Sequence, residues 1–243
     1  MKNTIKMLLL KILGPVLLSK SEVTKIEDFG EHFRILTIKG KALKKAQWKP
    51  GQKVTVKIND NDMRSYTPIN WDNQIGSFQT LIVLHNNGPL SRWAKKIKPK
   101  SKVTILGPKG SLSLDETKKE IIFFGDDTTL GLISAIENNC PSIKFHNFIE
   151  SNYPSSVEEV ISRLNITSPK IYAMNAFDNY QADIFKKFNE LTENSLIILS
   201  GKQQNIVKVR DYLRLQNVPK EKVQIKVYWG WKDDPNGKLS AQN

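Results

Sequence analysis

Apolar and polar positions follow two different rhythms along this chain, and the change falls near Asp115. In the first part, residues 33–38 and 53–58 alternate apolar with polar side chains, the two-residue period of a strand with one face buried. Residues 81–84 and 103–106 are shorter β-rich runs, and Pro50-Gly51, residues 59–62 and Gly107-Pro108 punctuate them as turns. Short strands at this spacing predict a small antiparallel β-barrel of the six-stranded type over residues 1–115.

After Asp115 the period lengthens. Strand-like cores at residues 121–124, 143–148, 170–173, 196–199 and 223–228 alternate with helical stretches at 130–138, 156–164, 181–191 and 205–215. In the last stretch Ile206, Val209, Tyr212 and Leu213 share one helical face. Five strands with four intervening helices predict a doubly wound, parallel five-stranded α/β sheet over residues 116–243. Ligands of such sheets bind beyond the carboxyl ends of the strands.

Residues 7–18 form a mostly apolar run preceded by Lys2 and Lys6. Lys11 interrupts it, Gly14-Pro15 breaks it, and it is too short to span a bilayer. The expectation is an N-terminal helix packed on the protein, with no stable membrane insertion.

Composition supplies ordinary cores: 39% of the 243 residues are apolar and 25% are charged, which excludes global disorder. The single cysteine, Cys140, can form no internal disulfide and fits a reducing cytoplasm. The net charge of +13 is unevenly spread. Up to Asp115 there are 21 Lys and Arg against 8 Asp and Glu; from Glu116 onward there are 16 against 16. A basic field concentrates anions and speeds their encounter, and a merely solubilising surface is an equally good reading. Nucleic acid is set aside as a partner, because no signature of a nucleic-acid-binding module appears. His32, His85 and His146 are scattered, and no spacing suggests a metal site.

Two segments suggest a flat, anionic ligand. Arg64-Ser65-Tyr66-Thr67 places a guanidinium, an aromatic ring and a hydroxyl on one extended stretch, suited to a phosphate and a ring system. Next, Gly88-Pro89-Leu90-Ser91 turns the chain into a helix start just after His85, and backbone N–H groups at such a start cradle a diphosphate. Trp93, on the same helix, reads as core rather than as a ligand contact.

These segments resemble the siderophore-interacting proteins, flavin-dependent ferric-siderophore reductases of the ferredoxin-reductase-like superfamily. The resemblance rests on the R-x-Y-T stretch from Arg64 to Thr67, on His85 followed by Gly88 to Ala94, and on the Gly107 to Gly110 turn. It also rests on Gly125 to Leu130, which is similar to the family's G-D-E-T-A-L. It implies that Arg64, Ser65, Tyr66 and Thr67 hold a flavin, and that His85, Gly88, Pro89, Leu90 and Ser91 surround the FAD diphosphate. It implies further that Asp126, Thr128, Thr129, Gly201, Lys202, Tyr228 and Trp229 meet NADPH or NADH. There are departures. Leu90 stands for the usual Ala, Asn86 for a Gly, Asp127 for a Glu and Gly131 near a usual Pro; the tail Gly230-Trp231-Lys232 is unusual. Lys202 replaces a Glu, which favours a 2′-phosphate over a free ribose hydroxyl.

The implied activity is cytoplasmic electron transfer from NAD(P)H through FAD to a ferric siderophore or another anionic ferric chelate, releasing Fe(II) for iron transport. It needs no catalytic acid, base or metal ligand from the chain. The alternatives are an oxidoreductase that exchanges electrons with an acidic ferredoxin or flavodoxin, and a non-catalytic flavin-binding protein.

Overall fold

The structure, a computed structural model, describes residues 18–59, 62–85, 89–110, 112, 114, 117–167 and 169–230. The chain divides into two compact units, residues 1–110 and 111–243. The expected N-terminal helix lies outside the described residues except at Leu18, which opens a strand. Asn86, Gly88, Ser111, Trp231 and Lys232 also lie outside them.

Among its described residues unit 1 has seven strands: β1 (Leu18–Phe29), β2 (Phe33–Lys39), β3 (Lys53–Lys57), β4 (Met63–Tyr66), β5 (Ile69–Asp72), β6 (Ser77–Val83) and β7 (Lys102–Lys109). Helix α1 (Pro89–Lys96) lies between β6 and β7 in the chain. The sheet order is β4-β3-β7-β1-β2-β6-β5, with every neighbouring pair antiparallel. β4, from one edge, also approaches β6 near the other, so the sheet curls on itself.

The strand count exceeds the expected six-stranded type for a local reason. β4 and β5 are one extended stretch interrupted at Thr67-Pro68, where Pro68 has no N–H to continue a ladder. The interior is filled by Val23, Leu36, Ile38, Val54, Val56, Phe78, Ile82 and Ile105. Arg34 ties α1 to this sheet. Its guanidinium grips Asp28 at 2.5 and 2.9 Å and also donates to the Ala94 carbonyl near the helix end.

Unit 2 alternates β8 (Glu120–Asp126), α2 (Leu130–Glu137), β9 (Lys144–Ser151), α3 (Pro154–Arg163), β10 (Lys170–Ala173), α4 (Phe177–Phe188), β11 (Ser195–Lys202), α5 (Gln203–Leu215) and β12 (Val223–Trp229). The sheet is wholly parallel, in the order β10-β9-β8-β11-β12. β8 is buried from Ile121 to Asp126 and β11 from Ser195 to Gly201, continuous runs expected of central strands covered on both faces. The chain winds outward from β8 to β10 and then returns to lay β11 on β8's other side. That reversal makes a topological switch point between β8 and β11, with a crevice beyond their carboxyl ends. Among the described residues no helix is long and apolar enough to cross a membrane.

Candidate functional site

In unit 1, β4 pairs with β3 so that Arg64 faces Val56, Ser65 faces Thr55 and Tyr66 faces Val54. Side chains alternate along a strand, which puts Arg64 and Tyr66 on the side of the buried valines and Ser65 on the other. Ser65 therefore separates from its sequence neighbours, and its hydroxyl lies 3.3 Å from that of Thr55. The Tyr66 ring packs on the core, and its hydroxyl is buried with no hydrogen-bond partner among the described residues. Burial pushes that phenol above the ordinary tyrosine range, the nearby Asp62 adding to the effect and Arg64 opposing it. Arg64 pairs with Asp62 and donates to its neighbour's carbonyl, Met63 O, at 3.1 Å. Its side chain stays 43% exposed. Thr67 is buried, and its carbonyl accepts from Thr80 Oγ1 at 3.3 Å.

His85 follows β6, and its carbonyl accepts from the buried Ser91 hydroxyl at 2.7 Å. Pro89 and Leu90 open α1. Pro89 is suited to that first position because its missing N–H would have no partner in the helix. The following first-turn N–H groups are ones the helix's own ladder does not use. Trp93 packs against the core, as expected.

In unit 2 the predicted residues converge on one carboxylate. Asp126, at the end of β8, is 2% exposed. Its Oδ1 accepts from the Thr128 backbone N–H at 2.8 Å and from the Thr128 hydroxyl; its Oδ2 accepts from the Lys202 N–H at 2.7 Å and Trp229 Nε1 at 3.0 Å. Thr129 Oγ1 donates to the Asp126 carbonyl at 2.7 Å. Gly201 is required here: its φ is +109°, and a Cβ would stand 2.4 Å from Asp126 Oδ2. Burial pushes the Asp126 pKa up while its four donors act against that rise. Lys202 Nζ donates to Asn175 Oδ1 at 3.1 Å and lies 5.3 Å from the Trp229 ring centroid. Tyr228 is the exception, since alternation turns it to the opposite face, where Lys226 Nζ lies 5.4 Å from its ring.

Two further acids stand at the same strand ends: Asp127, within the Gly125–Thr129 stretch that the resemblance sets against the dinucleotide, and Glu150, which was not among the expected contacts. Glu150 stands opposite Asp126 on β9 and is 1% exposed, accepting from the Tyr180 hydroxyl and from Asn205 Nδ2. Burial, above all, raises its pKa. Asp127 is fully buried; its Oδ2 accepts from the Asn152 N–H at 3.1 Å, and its Oδ1 has no partner among the described residues. Burial pushes its carboxyl up to about 6, with the neighbouring Asp126 charge adding to the rise. Glu150 escaped prediction because its strand was expected to end at Phe148, two residues short of it. Among the described residues no group of three His, Cys, Asp or Glu could hold a metal ion.

Residues 20–114 match the oxidoreductase FAD-binding domain family. The siderophore-interacting protein of Acinetobacter baumannii shares the fold at a TM-score of 0.71 and 19% identity, over 88% of this chain and 90% of that one. SipS, the siderophore-interacting protein of Aeromonas hydrophila, does so at 0.71 and 20%, over 89% of this chain and all of that one. Phthalate dioxygenase reductase, described as modular for electron transfer from pyridine nucleotides to [2Fe-2S], gives 0.70 at 15% identity, over 86% of this chain and 68% of that one.

Among curated proteins, NADH-cytochrome b5 reductase 1 of Candida albicans is 27% identical over 120 residues, 49% of this chain and 38% of that protein. The Debaryomyces hansenii protein of the same name is 44% identical over 54 residues, 22% of this chain and 19% of that one. The chain spans less than half the length of these curated relatives. The chain thus shares the fold of these solved structures: an antiparallel sheet that matches the FAD-binding domain family, followed by a parallel α/β unit.

The match implies a flavin, and unit 1 has features that fit one. The buried Tyr66 hydroxyl needs a partner, Arg64 is partly exposed beside it in the chain, and the first turn of α1 offers N–H groups to an anion.

Proposed function

We propose that the protein is an FAD-dependent NAD(P)H oxidoreductase that reduces a ferric siderophore and releases its iron as Fe(II). The observation that carries this reading is one chain holding both an FAD-binding domain match and, in a parallel sheet, a switch-point crevice built around a buried carboxylate. The fold shared with two siderophore-interacting proteins, over nearly the whole of each, supports the ferric siderophore as acceptor. The basic first half supports an anionic chelate. A reducing cytoplasmic setting belongs to the proposal and is supported by the single cysteine.

When bound, FAD supplies the exchange between a two-electron hydride donor and one-electron iron acceptors. The chain's work is to bind and orient. Tyr66, with Arg64 and Thr67, would hold the flavin ring system and its nearest phosphate, and Ser91 with the first turn of α1 would hold the diphosphate. In unit 2, Asp126 fixes the Thr128 backbone, the Lys202 backbone and the Trp229 indole in one arrangement, so the crevice for the nicotinamide dinucleotide is preformed.

The test is an anaerobic visible spectrum of the purified, FAD-loaded protein. NADPH or NADH should bleach the flavin bands, and a ferric chelate should then restore them while ferrous iron accumulates in a colorimetric trap. A protein that binds no flavin, or whose flavin neither nucleotide reduces, would reject the reading. The fold shared with phthalate dioxygenase reductase favours an acidic ferredoxin as a second candidate for electron exchange. Reoxidation by ferredoxin but not by ferric chelates would select it.

A further inference from the structure

The rim of the switch-point crevice carries a cation held in a defined place. Lys202 ends β11 and caps the start of α5, with its backbone N–H on Asp126. Its ammonium is held by Asn175 Oδ1, 3.1 Å away, and lies over the Trp229 ring. Asn175 sits in the turn after β10 with φ at +63°, and its backbone N–H is bonded to Glu150. The ends of β10, β11 and β12 thus contribute to one corner.

That corner keeps its positive charge. Asn175 and Trp229 are neutral, and Lys202 makes no ion pair among the described residues. The three nearby acids, Asp126, Asp127 and Glu150, are between 0 and 2% exposed; Asp126 is bonded by the Thr128, Lys202 backbone and Trp229 donors and Glu150 by Tyr180 and Asn205, and none of the three pairs with the Lys202 ammonium among the described residues. The first turn of α5 has no side-chain cap, so its N–H groups add to the field. Asp178, exposed in the first turn of α4, is the acid near Asn175 in the chain that opposes it.

We infer that Lys202, positioned by Asn175 and Trp229, reads the 2′-phosphate of NADPH and makes this protein selective for NADPH over NADH. The inference rests on the reading of unit 2 as a nicotinamide-dinucleotide site. In doubly wound sheets an acid at the ribose accepts from the 2′-hydroxyl and repels a phosphate, whereas a cation there attracts it. Here the rim presents an ammonium, a carboxamide able to turn its Nδ2 toward an anion, and an indole face, with the carboxylates buried beneath.

The experiment is isothermal titration of the purified full chain with two nucleotide probes, 2′,5′-ADP and 5′-AMP. Wild type should bind 2′,5′-ADP at least about ten-fold more tightly, the effect of one charge-assisted bond. Lys202→Ala should bring the two affinities to within about two-fold, and Lys202→Arg should keep most of the preference. Lys208→Ala, which removes an exposed charge from the same helix, should leave the ratio unchanged. In turnover, Lys202→Glu should lower the ratio of kcat/KM for NADPH over NADH at least about ten-fold. Equal affinities in wild type, or a preference that survives Lys202→Ala, would overturn the inference while leaving the dinucleotide site standing. Binding of neither probe would overturn both.

Discussion

Replacing Asp126 with asparagine changes one buried atom and tests the switch-point arrangement directly. The carboxylate accepts two hydrogen bonds on each oxygen, and all four come from donors. Asparagine keeps one acceptor. If that acceptor stays on Thr128, the new amide N–H₂ faces the Lys202 and Trp229 N–H groups, donor against donor. The Lys202 amide cannot move without disturbing the β11–α5 junction, and a buried donor left unmet costs about 1–3 kcal/mol. The partly exposed indole can find water more easily and adds less. Relief of the carboxylate's own desolvation, seen in its raised pKa, works the other way. The net expectation is a loss of about 2–3 kcal/mol in unfolding free energy.

Urea denaturation followed by circular dichroism at neutral pH measures it. Trp229→Phe alone should cost about 1 kcal/mol, and the double variant should fall short of additivity by about the same amount, since the phenylalanine removes one of the two conflicts. A change below about 0.5 kcal/mol for Asp126→Asn, or strict additivity, would refute the reasoning.

Tyr66→Phe should stabilise the flavin-free protein by about 1 kcal/mol, because it removes a buried hydroxyl with no partner among the described residues, and should weaken FAD binding. Urea midpoints and quenching of FAD fluorescence check the two halves separately. Asp127 binds a proton more tightly folded, with its pKa at about 6, than unfolded, at 3.8, so its contribution to stability falls as pH rises between those values and is level above them. Asp127→Asn should therefore match wild type near pH 4 and exceed it by about 2–3 kcal/mol above pH 6, read from urea midpoints across a pH series. Lys44→Glu with Lys45→Glu, both exposed on the basic first half, should slow ferric-chelate reduction and flatten its salt dependence; unchanged rates at low salt would remove the steering role.

The parallel unit was easier to read from the chain than the antiparallel one. Each strand of the parallel sheet lies at an apolar core of the sequence, and the central strands β8 and β11, covered on both faces, are apolar almost throughout. Its boundaries were less legible. β9 runs to Ser151 rather than Phe148, since the strand ends in polar residues that turn inward only because Tyr180 and Asn205 come from distant helices to meet Glu150. α4 starts at Phe177 rather than at residue 181, because Phe177 and Tyr180 are held by ring packing around Phe185 and Tyr172. In unit 1, the second half of β1 hid behind an irregularity between Val23 and Lys25, which sets the apolar Val23 and Ile26 three apart and destroys the two-residue period. The site showed the same division. Motifs pointed to Asp126, Thr128, Lys202 and Trp229, whereas nothing local told that one carboxylate gathers them.

The bond between Trp229 and Asp126 sets an order of events on the ribosome. Asp126 belongs to the first strand of its sheet to be synthesised, yet one of its donors arrives 103 residues later, on the last strand. Until β12 leaves the exit tunnel, the nascent unit carries an unfinished acceptor at its centre and an uncovered flank on β11. Nascent chains arrested before Trp229 should therefore remain open to proteases and chaperones, however complete the earlier winding has become.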